Sequence, residues 1–269
     1  MKIAFLGDVV GRPGRKAVHL WLEENRKEID LCIVNGENSA AGFGLTEKVA
    51  KNLFSYGVDV LTGGNHTFDK KEIFQFIDNY PILRPANYPE GTPGKGYFLI
   101  EVKGKKILVI SLMGRVFMEC LDNPFFVFDK IVEENEADIV IVDFHAEATS
   151  EKQAFGFYVD GRATAVLGTH THIQTADLRI LPQGTLYITD AGMCGTVDAV
   201  IGMGKEEGIY RFIKQLPVKL KVPEKPERIQ VSGVIFEVDE NGKVVNFERI
   251  FQIYKRSQDG SYTRWKGAL

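Results

Sequence analysis

The stretch Lys2-Ile3-Ala4-Phe5-Leu6-Gly7-Asp8 is a short apolar run that stops on a glycine and a carboxylate. The same pattern recurs along the chain. Leu31–Val34 stops on Asn35-Gly36-Glu37-Asn38, and Val58–Leu61 leads into Gly63-Gly64-Asn65-His66. Ile139–Val142 runs into Asp143-Phe144-His145, and Ala165–Leu167 into Gly168-Thr169-His170-Thr171-His172. Short apolar runs bounded by turn residues read as buried strands. In open α/β sheets, ligands bind beyond the carboxyl ends of the strands. Five strands that each end in a polar side chain would therefore gather those side chains at one edge.

The segments between the strands read as helices. Arg15–Lys27 puts Val18, Trp21 and Leu22 on one face, and Thr46–Tyr56 puts Val49, Ala50 and Leu53 inward. Thr46 is the N-cap residue, and Gly57 lies just past the other end. Alternation of strand and helix implies largely parallel pairing. Tyr97–Val102 and Lys106–Leu112 form a hairpin around Gly104, and Val231–Val238 and Lys243–Ile250 another around Asn241-Gly242. Phe125–Glu134 is a helix starting near Asp122 or Asn123, and Leu186–Ile188 a strand ending in Thr189-Asp190. The fold class is α/β, with two sheets packed face to face and helices outside. Residues 1–269 make one domain, and the long loops 80–96 and 216–228 are candidates for a small cap.

Composition narrows the function. Of 269 residues, 44% are hydrophobic and 26% charged, as in an ordinary globular protein. The formal net charge of −3 gives no bulk attraction to nucleic acid or acidic membranes. The first residues are too short for a secretory leader, and no apolar run approaches the ~20 residues of a spanning helix. Cys32, Cys120 and Cys194 are odd in number and scattered, which predicts core thiols and a cytoplasmic location.

Asp8, Glu37, Asn38, Asn65, His145, His170 and His172 offer carboxylates, amide oxygens and imidazoles. His170 and His172 are two apart, so on extended chain they point the same way. Mixed nitrogen and oxygen ligation suits manganese, iron, zinc or cobalt better than calcium or magnesium alone. Each position has a plainer reading. A lone strand-end Asp is usually a cap, Asn-Gly and Gly-Asn pairs are usually turns, and a lone His is usually structural. Four of the five histidines nonetheless fall at strand ends beside Gly or Asp, and only His19 sits mid-helix. That concentration favours a metal centre. Arg12, Arg15 and Asn87 are weaker candidates for phosphate contact, with solvated charge the plainer reading of the two arginines.

The order Gly7-Asp8, Gly36-Glu37-Asn38, Gly64-Asn65-His66, His145 and Gly168-Thr169-His170-Thr171-His172 resembles the calcineurin-like metallophosphoesterases. Gly7-Asp8-Val9-Val10-Gly11-Arg12-Pro13-Gly14-Arg15, with Gly64-Asn65-His66-Thr67-Phe68-Asp69 and Arg84-Pro85-Ala86-Asn87-Tyr88-Pro89, resembles the narrower YmdB-like branch, over Met1 to about Ile250. The resemblance implies a four-layer α/β/β/α sandwich with a dinuclear site at its edge. Asp8 and His172 would bind one metal, Glu37 would bridge, and Asn65, His145 and His170 would bind the other. His66 would be the general acid in metal-hydroxide attack on a phosphodiester.

Two departures from the wider superfamily stand out. Asp8-Val9-Val10 lacks the histidine of the usual Asp-any-His motif, and Glu37 stands where the bridging residue is usually Asp. Asn38 would fill the vacant position. Losing an imidazole hardens that position and points to iron or manganese, iron first. The branch implies small phosphodiesters, 2′,3′-cyclic nucleotides foremost, and self-association, with no membrane and no strong nucleic-acid affinity. Competing readings are a phosphomonoesterase or nuclease using the same site, or a regulatory RNA-associated protein that has kept it.

Overall fold

A computed structural model describes residues 1–267. The chain runs β1 (Lys2–Leu6), β2 (Asp8–Val9), α1 (Gly11–Asn25), β3 (Leu31–Asn35), α2 (Glu47–Ser55), β4 (Val60–Thr62), β5 (Tyr97–Val102) and β6 (Lys105–Met113). It continues α3 (Pro124–Glu134), β7 (Ile139–His145), α4 (Thr149–Tyr158), β8 (Ala165–Thr169), β9 (Arg179–Ile180) and β10 (Leu186–Ile188). It closes with β11 (Met193–Thr196), α5 (Lys205–Lys214), β12 (Arg228–Val238), β13 (Val244–Arg256) and β14 (Tyr262–Arg264).

Two mixed sheets result. The first runs β14-β13-β12-β1-β3-β4, with β2 and β11 joined to it, and the second runs β5-β6-β7-β8-β10-β9. Pairing is parallel along β1-β3-β4 and β6-β7-β8-β10, with helices crossing over at every step but β8 to β10, and antiparallel where hairpins add strands and where β12 returns beside β1. The expected parallel core is present; the hairpins make both sheets mixed.

Side-chain alternation sets the layers. On β1, Ile3 and Phe5 face the other sheet and meet Ile107, Val109, Ile139 and Ile141 in the central core. Ala4 and Leu6 face the opposite way and pack with Val18, Trp21 and Leu22 of α1 and with Val49, Ala50 and Leu53 of α2. On the far side of the second sheet, Leu108, Ile110, Val142 and Phe144 pack with Phe128 of α3 and Phe155 of α4. The result is the α/β/β/α sandwich expected from the sequence.

Local physics explains most boundaries. Thr46 caps α2, its hydroxyl accepting from the Val49 N–H at 3.4 Å. Asn123 caps α3 by accepting from the Phe125 N–H at 3.1 Å. The first helix starts at Gly11, four residues before the expected Arg15, because Pro13 tolerates a first helical turn, where its missing N–H has no partner to lose. Strands β2 and β11 pair over two residues, too few to show a pattern. Helix α4 is absent from the sequence reading: its inward positions include Lys152, and a charged residue breaks the apolar periodicity. Cys32 and Cys194 are buried as expected, whereas Cys120 is exposed in the irregular segment between β6 and α3. Burial pushes the Cys194 thiol up to about 12, so it is inert.

Candidate metal centre

Asp8 begins β2, Glu37 and Asn38 follow β3, Asn65 and His66 follow β4, His145 ends β7, and His170 and His172 follow β8. Both sheets therefore deliver their strand ends to one edge. Asp8, Glu37, Asn38, His145 and His172 are all buried. Ligand atoms of Asp8, Glu37 and His145 lie within 4.8 Å of one another, close enough to hold a metal ion.

The centre of the cluster is crowded with lone pairs. His145 Nε2 lies 3.1 Å from Glu37 Oε1, 2.9 Å from Asn65 Oδ1 and 3.1 Å from His170 Nδ1. One ring nitrogen carries at most one hydrogen and cannot satisfy all three. His172 Nε2 lies 3.7 Å from Asp8 Oδ1 and 3.3 Å from Asn38 Nδ2. Asp8 Oδ1 is buried with no hydrogen-bond partner. An orphaned buried carboxylate oxygen costs free energy unless a cation meets it. Gly64 makes room for the cluster, since a Cβ there would lie 2.3 Å from His145 Nε2 and 2.5 Å from Glu37 Oε2.

The outer edges of the three imidazoles fix their tautomers. The Thr169 hydroxyl donates to Asp143 Oδ1 at 2.6 Å, so its contact with His145 Nδ1 at 2.9 Å must be one in which it accepts. His145 thus carries a proton on Nδ1, and Nε2 is free to act as a ligand. His172 Nδ1 donates to the Ile201 carbonyl at 2.9 Å, and His170 Nε2 donates to Glu147 Oε2 at 2.9 Å. Each ring turns an N–H outward and its other nitrogen inward.

Beneath the His170–His172 turn lies a buried ion pair. Lys152 Nζ donates to Asp190 Oδ2 at 2.9 Å and to the Thr169 carbonyl at 2.7 Å. Asp190 Oδ2 also accepts from the Thr171 N–H at 3.0 Å, and Oδ1 from the Gly192 N–H at 2.8 Å. The Gly192 carbonyl in turn accepts from the Asp8 N–H at 3.1 Å. Asp190 thus ties the histidine turn to the strand end carrying Asp8. His170 and His172 have φ of 100° and 68°, so the turn is left-handed at two non-glycine residues. That strain persists only because surrounding bonds over-determine it.

Electrostatics follow from burial and crowding. Burial raises the Asp8 carboxyl above its ordinary range, against the pull of His172 and His145. Burial works against the charged form of Glu37 too, but the charge and hydrogen bond of His145 hold it down to about 2. Burial would lower His145, yet Glu37 and Asp8 lift it to about 9. A proton on His145 Nε2 therefore does, without metal, the charge compensation a cation would do. His170 is pushed down to about 3 by burial and by the His145 charge, and so stays neutral. Burial lifts Asp143 to about 6 despite His145 and the hydrogen bonds from Thr169, Thr62 and Asn35.

All seven residues read as ligands from the sequence, and His66, meet at this edge. His66 Nδ1 contacts Asp69 Oδ2 at 2.9 Å, and its N–H donates to Glu37 Oε2 at 3.0 Å. Arg15 is half-buried and donates to the Ser39 carbonyl, while Arg12 is exposed. Asn87 is buried, accepting from the Met113 N–H at 2.9 Å and donating to its carbonyl at 2.8 Å, and so serves the fold. Sequence reasoning missed Thr169, Asp143, Glu147, Lys152, Asp190 and Ile201. Asp143, Thr169 and Glu147 lie within two residues of the candidate histidines but were overshadowed by them; Lys152, Asp190 and Ile201 have no candidate ligand near them in sequence to mark them.

The chain is 51% identical over 256 residues to the 2′,3′-cyclic-nucleotide 2′-phosphodiesterase of Bacillus subtilis strain 168, covering 93% of this chain and 96% of that one. A crystal structure of a hypothetical protein from Thermus thermophilus superposes with a TM-score of 0.90 at 44% identity, covering 93% and 98% of the two chains. A novel phosphatase from Mycoplasma pneumoniae gives 0.88 at 38% identity, covering 94% and 93%. Residues 4–250 match the family model described as YmdB-like protein, and the chain belongs to that family.

Proposed function

We propose that this chain is a dinuclear metal-dependent phosphodiesterase that opens 2′,3′-cyclic nucleotides at the 2′ ester. The observation that carries the reading is the convergence of Asp8, Glu37, Asn65, His145, His170 and His172 with an orphaned Asp8 Oδ1 at their centre. The 2′,3′-cyclic substrate comes from the Bacillus subtilis relative.

The contacts spread to either side of a shared middle made by Asp8, Glu37 and His145, which supports two cations. His172 lies to one side and Asn65 and His170 to the other, with Glu37 Oε1 reaching both Asn38 and His145. Asn38 now presents its NH₂ to Glu37 and His172, and an amide flip would present its oxygen. Oxygen and imidazole donors without thiolate suit iron or manganese, iron first. Bound cations would supply Lewis-acid charge at the phosphoryl oxygens and lower the pKa of an attacking water.

The chain's own groups do the rest. Asp69 holds His66 through Nδ1, leaving Nε2 to carry the proton delivered to the departing 2′ oxygen. Thr169, Glu147 and the Ile201 carbonyl orient the ligand imidazoles. Leu220 lines the cleft, which supports a cap role for loop 216–228 on a single domain. Free cysteines support cytoplasmic residence. Exposed Ile209, Phe212 and Ile213 on α5 support self-association. No described helix is long and apolar enough to cross a membrane.

The test is the regiochemistry of the product. Turnover of 2′,3′-cyclic AMP should give the 3′-monophosphate alone. A phosphomonoesterase, the reading suggested by the Mycoplasma pneumoniae phosphatase, would instead release inorganic phosphate from monoesters and leave the cyclic diester untouched.

A further inference from the structure

The cleft beside the metal-ligating side chains has a volume of about 450 Å³, and one of its walls has no part in phosphoryl chemistry. Phe43, Ile201, Met203 and Leu220 line that wall. An anionic phosphodiester gains nothing from an apolar surface; a flat aromatic base does.

Phe43 is held by a built loop. Ala41, Gly42 and Gly44 have φ of 60°, 102° and 74°, so the chain is left-handed on both sides of the ring. The Ala40 N–H donates to the Gly44 carbonyl at 2.9 Å and closes the loop. A Cβ on Gly42 would lie 2.7 Å from Met203 Cε and 2.9 Å from Val222, so the loop rests directly on those side chains. Phe43, Leu220 and Val222 pack against the buried trio Val10, Met193 and Met203, which fixes the wall from behind. The Phe43 ring lies edge-to-face with His66 at 4.9 Å, which places it beside the proposed general acid. Ile201, 47% exposed and at φ 47°, presents its side chain to the cleft while its carbonyl fixes His172. Ile201 thus lines the cleft from a strained position, and a second, Ala41, lies in the loop that carries Phe43, as expected where backbone is held for function.

We propose that Phe43 is a specificity-determining residue: its ring is the stacking platform for the nucleobase, with Ile201 and Leu220 extending the apolar wall. The inference rests on the cyclic-nucleotide reading above. Stacking is sequence-tolerant because every base has a π-face, so this wall accepts purines and pyrimidines, with purines gaining more from their larger area.

The experiment compares 2′,3′-cyclic AMP with abasic ribose 2′,3′-cyclic phosphate as substrates for the wild type, Phe43→Ala and Phe43→Trp. In parallel, adenosine 3′-monophosphate and ribose 3-phosphate are titrated calorimetrically into the metal-free proteins. Phe43→Ala should lower kcat/KM for the nucleotide roughly 10- to 100-fold, chiefly through KM, and weaken adenosine 3′-monophosphate binding by a similar factor. The abasic compounds should be handled equally by wild type and variant, and Phe43→Trp should restore the nucleotide preference. Equal losses on nucleotide and abasic substrates would show that the ring only supports His66, and no loss on either would show that the base lies elsewhere; both overturn the proposal. If the wild type turns over neither substrate, the phosphodiesterase reading fails, while the metal-free titration still decides whether Phe43 stacks a base.

Discussion

The two sheets hold their shares of the candidate metal centre by different means. The first sheet contributes carboxylates, which need donors, and the backbone supplies them: Asp8 Oδ2 accepts from the His170 N–H at 3.1 Å and Glu37 Oε2 from the His66 N–H at 3.0 Å. The second sheet contributes imidazoles, whose outer N–H needs an acceptor, supplied by Thr169, Glu147 and the Ile201 carbonyl. The histidine turn needs more, because it is left-handed, and the buried Lys152–Asp190 pair holds it. An acid is met by a backbone N–H from another strand end, which any residue type can supply. A candidate histidine needs an acceptor set against its outer nitrogen, two of the three being particular side chains.

That contrast makes predictions of different size. Glu37→Gln, on the backbone-held side, should remove the charge at the shared middle and lower phosphodiester turnover about 10³-fold or more, with bound metal lost. The fold should survive, because His145 can give up its proton once Glu37 no longer holds it there; a melting temperature many degrees lower would erase the contrast between the sides. On the relay-held side, Lys152→Met strands Asp190 without its counter-charge, and breaking a buried pair costs about 3–5 kcal/mol. Thermal unfolding should move down by about 10 °C, with metal lost as well. An unchanged melting temperature would mean that the turn is held by its own geometry.

Thr169→Val sharpens the comparison by removing only the hydroxyl that orients His145. Metal affinity should fall about 10- to 100-fold, measured by competition with a chelator of known affinity, with a stability loss of about 1–3 kcal/mol because the hydroxyl also donates to buried Asp143. The pH response is gentler. His145 is lifted from about 6.5 to about 9 in the metal-free protein. A raised pKa means stability that is fully present below the ordinary value and is lost as pH rises through the folded one. Melts of the metal-free protein should therefore show a gradual loss between about pH 6.5 and pH 9. Over the same window, apparent metal affinity should climb by up to about tenfold per pH unit, because a cation displaces that proton. The smallest effect is expected at exposed Arg12, where Arg12→Ala should change stability by less than about 0.5 kcal/mol, read from denaturant midpoints.

The same contrast marks what was legible in the sequence. Strand ends are visible because apolar runs stop abruptly, so Asp8, Glu37, Asn65 and His145 stood out as a set, although each motif alone has a plainer reading as a cap, a turn or a structural histidine. Two face-to-face sheets with helices outside followed from alternation and from the two hairpins, and the four-layer order from the family resemblance. Lys152 was not legible, because a lysine on a helix reads as solvated until the partner 38 residues away is known to lie beside it. Asp190 was seen only as the end of a short strand. Ile201 acts through its carbonyl, which every residue has, so no side-chain motif could mark it. Phe43 escaped notice because an aromatic in a glycine-flanked loop reads as a turn until its cleft is seen.

The most direct test of the central claim is elemental analysis of the pure protein, purified from metal-supplemented culture and joined to turnover of 2′,3′-cyclic nucleotides. The expected result is two transition-metal ions per chain and cleavage of the cyclic diester, both lost in Glu37→Gln. A metal-free protein that gains no activity on addition of manganese or iron would contradict it.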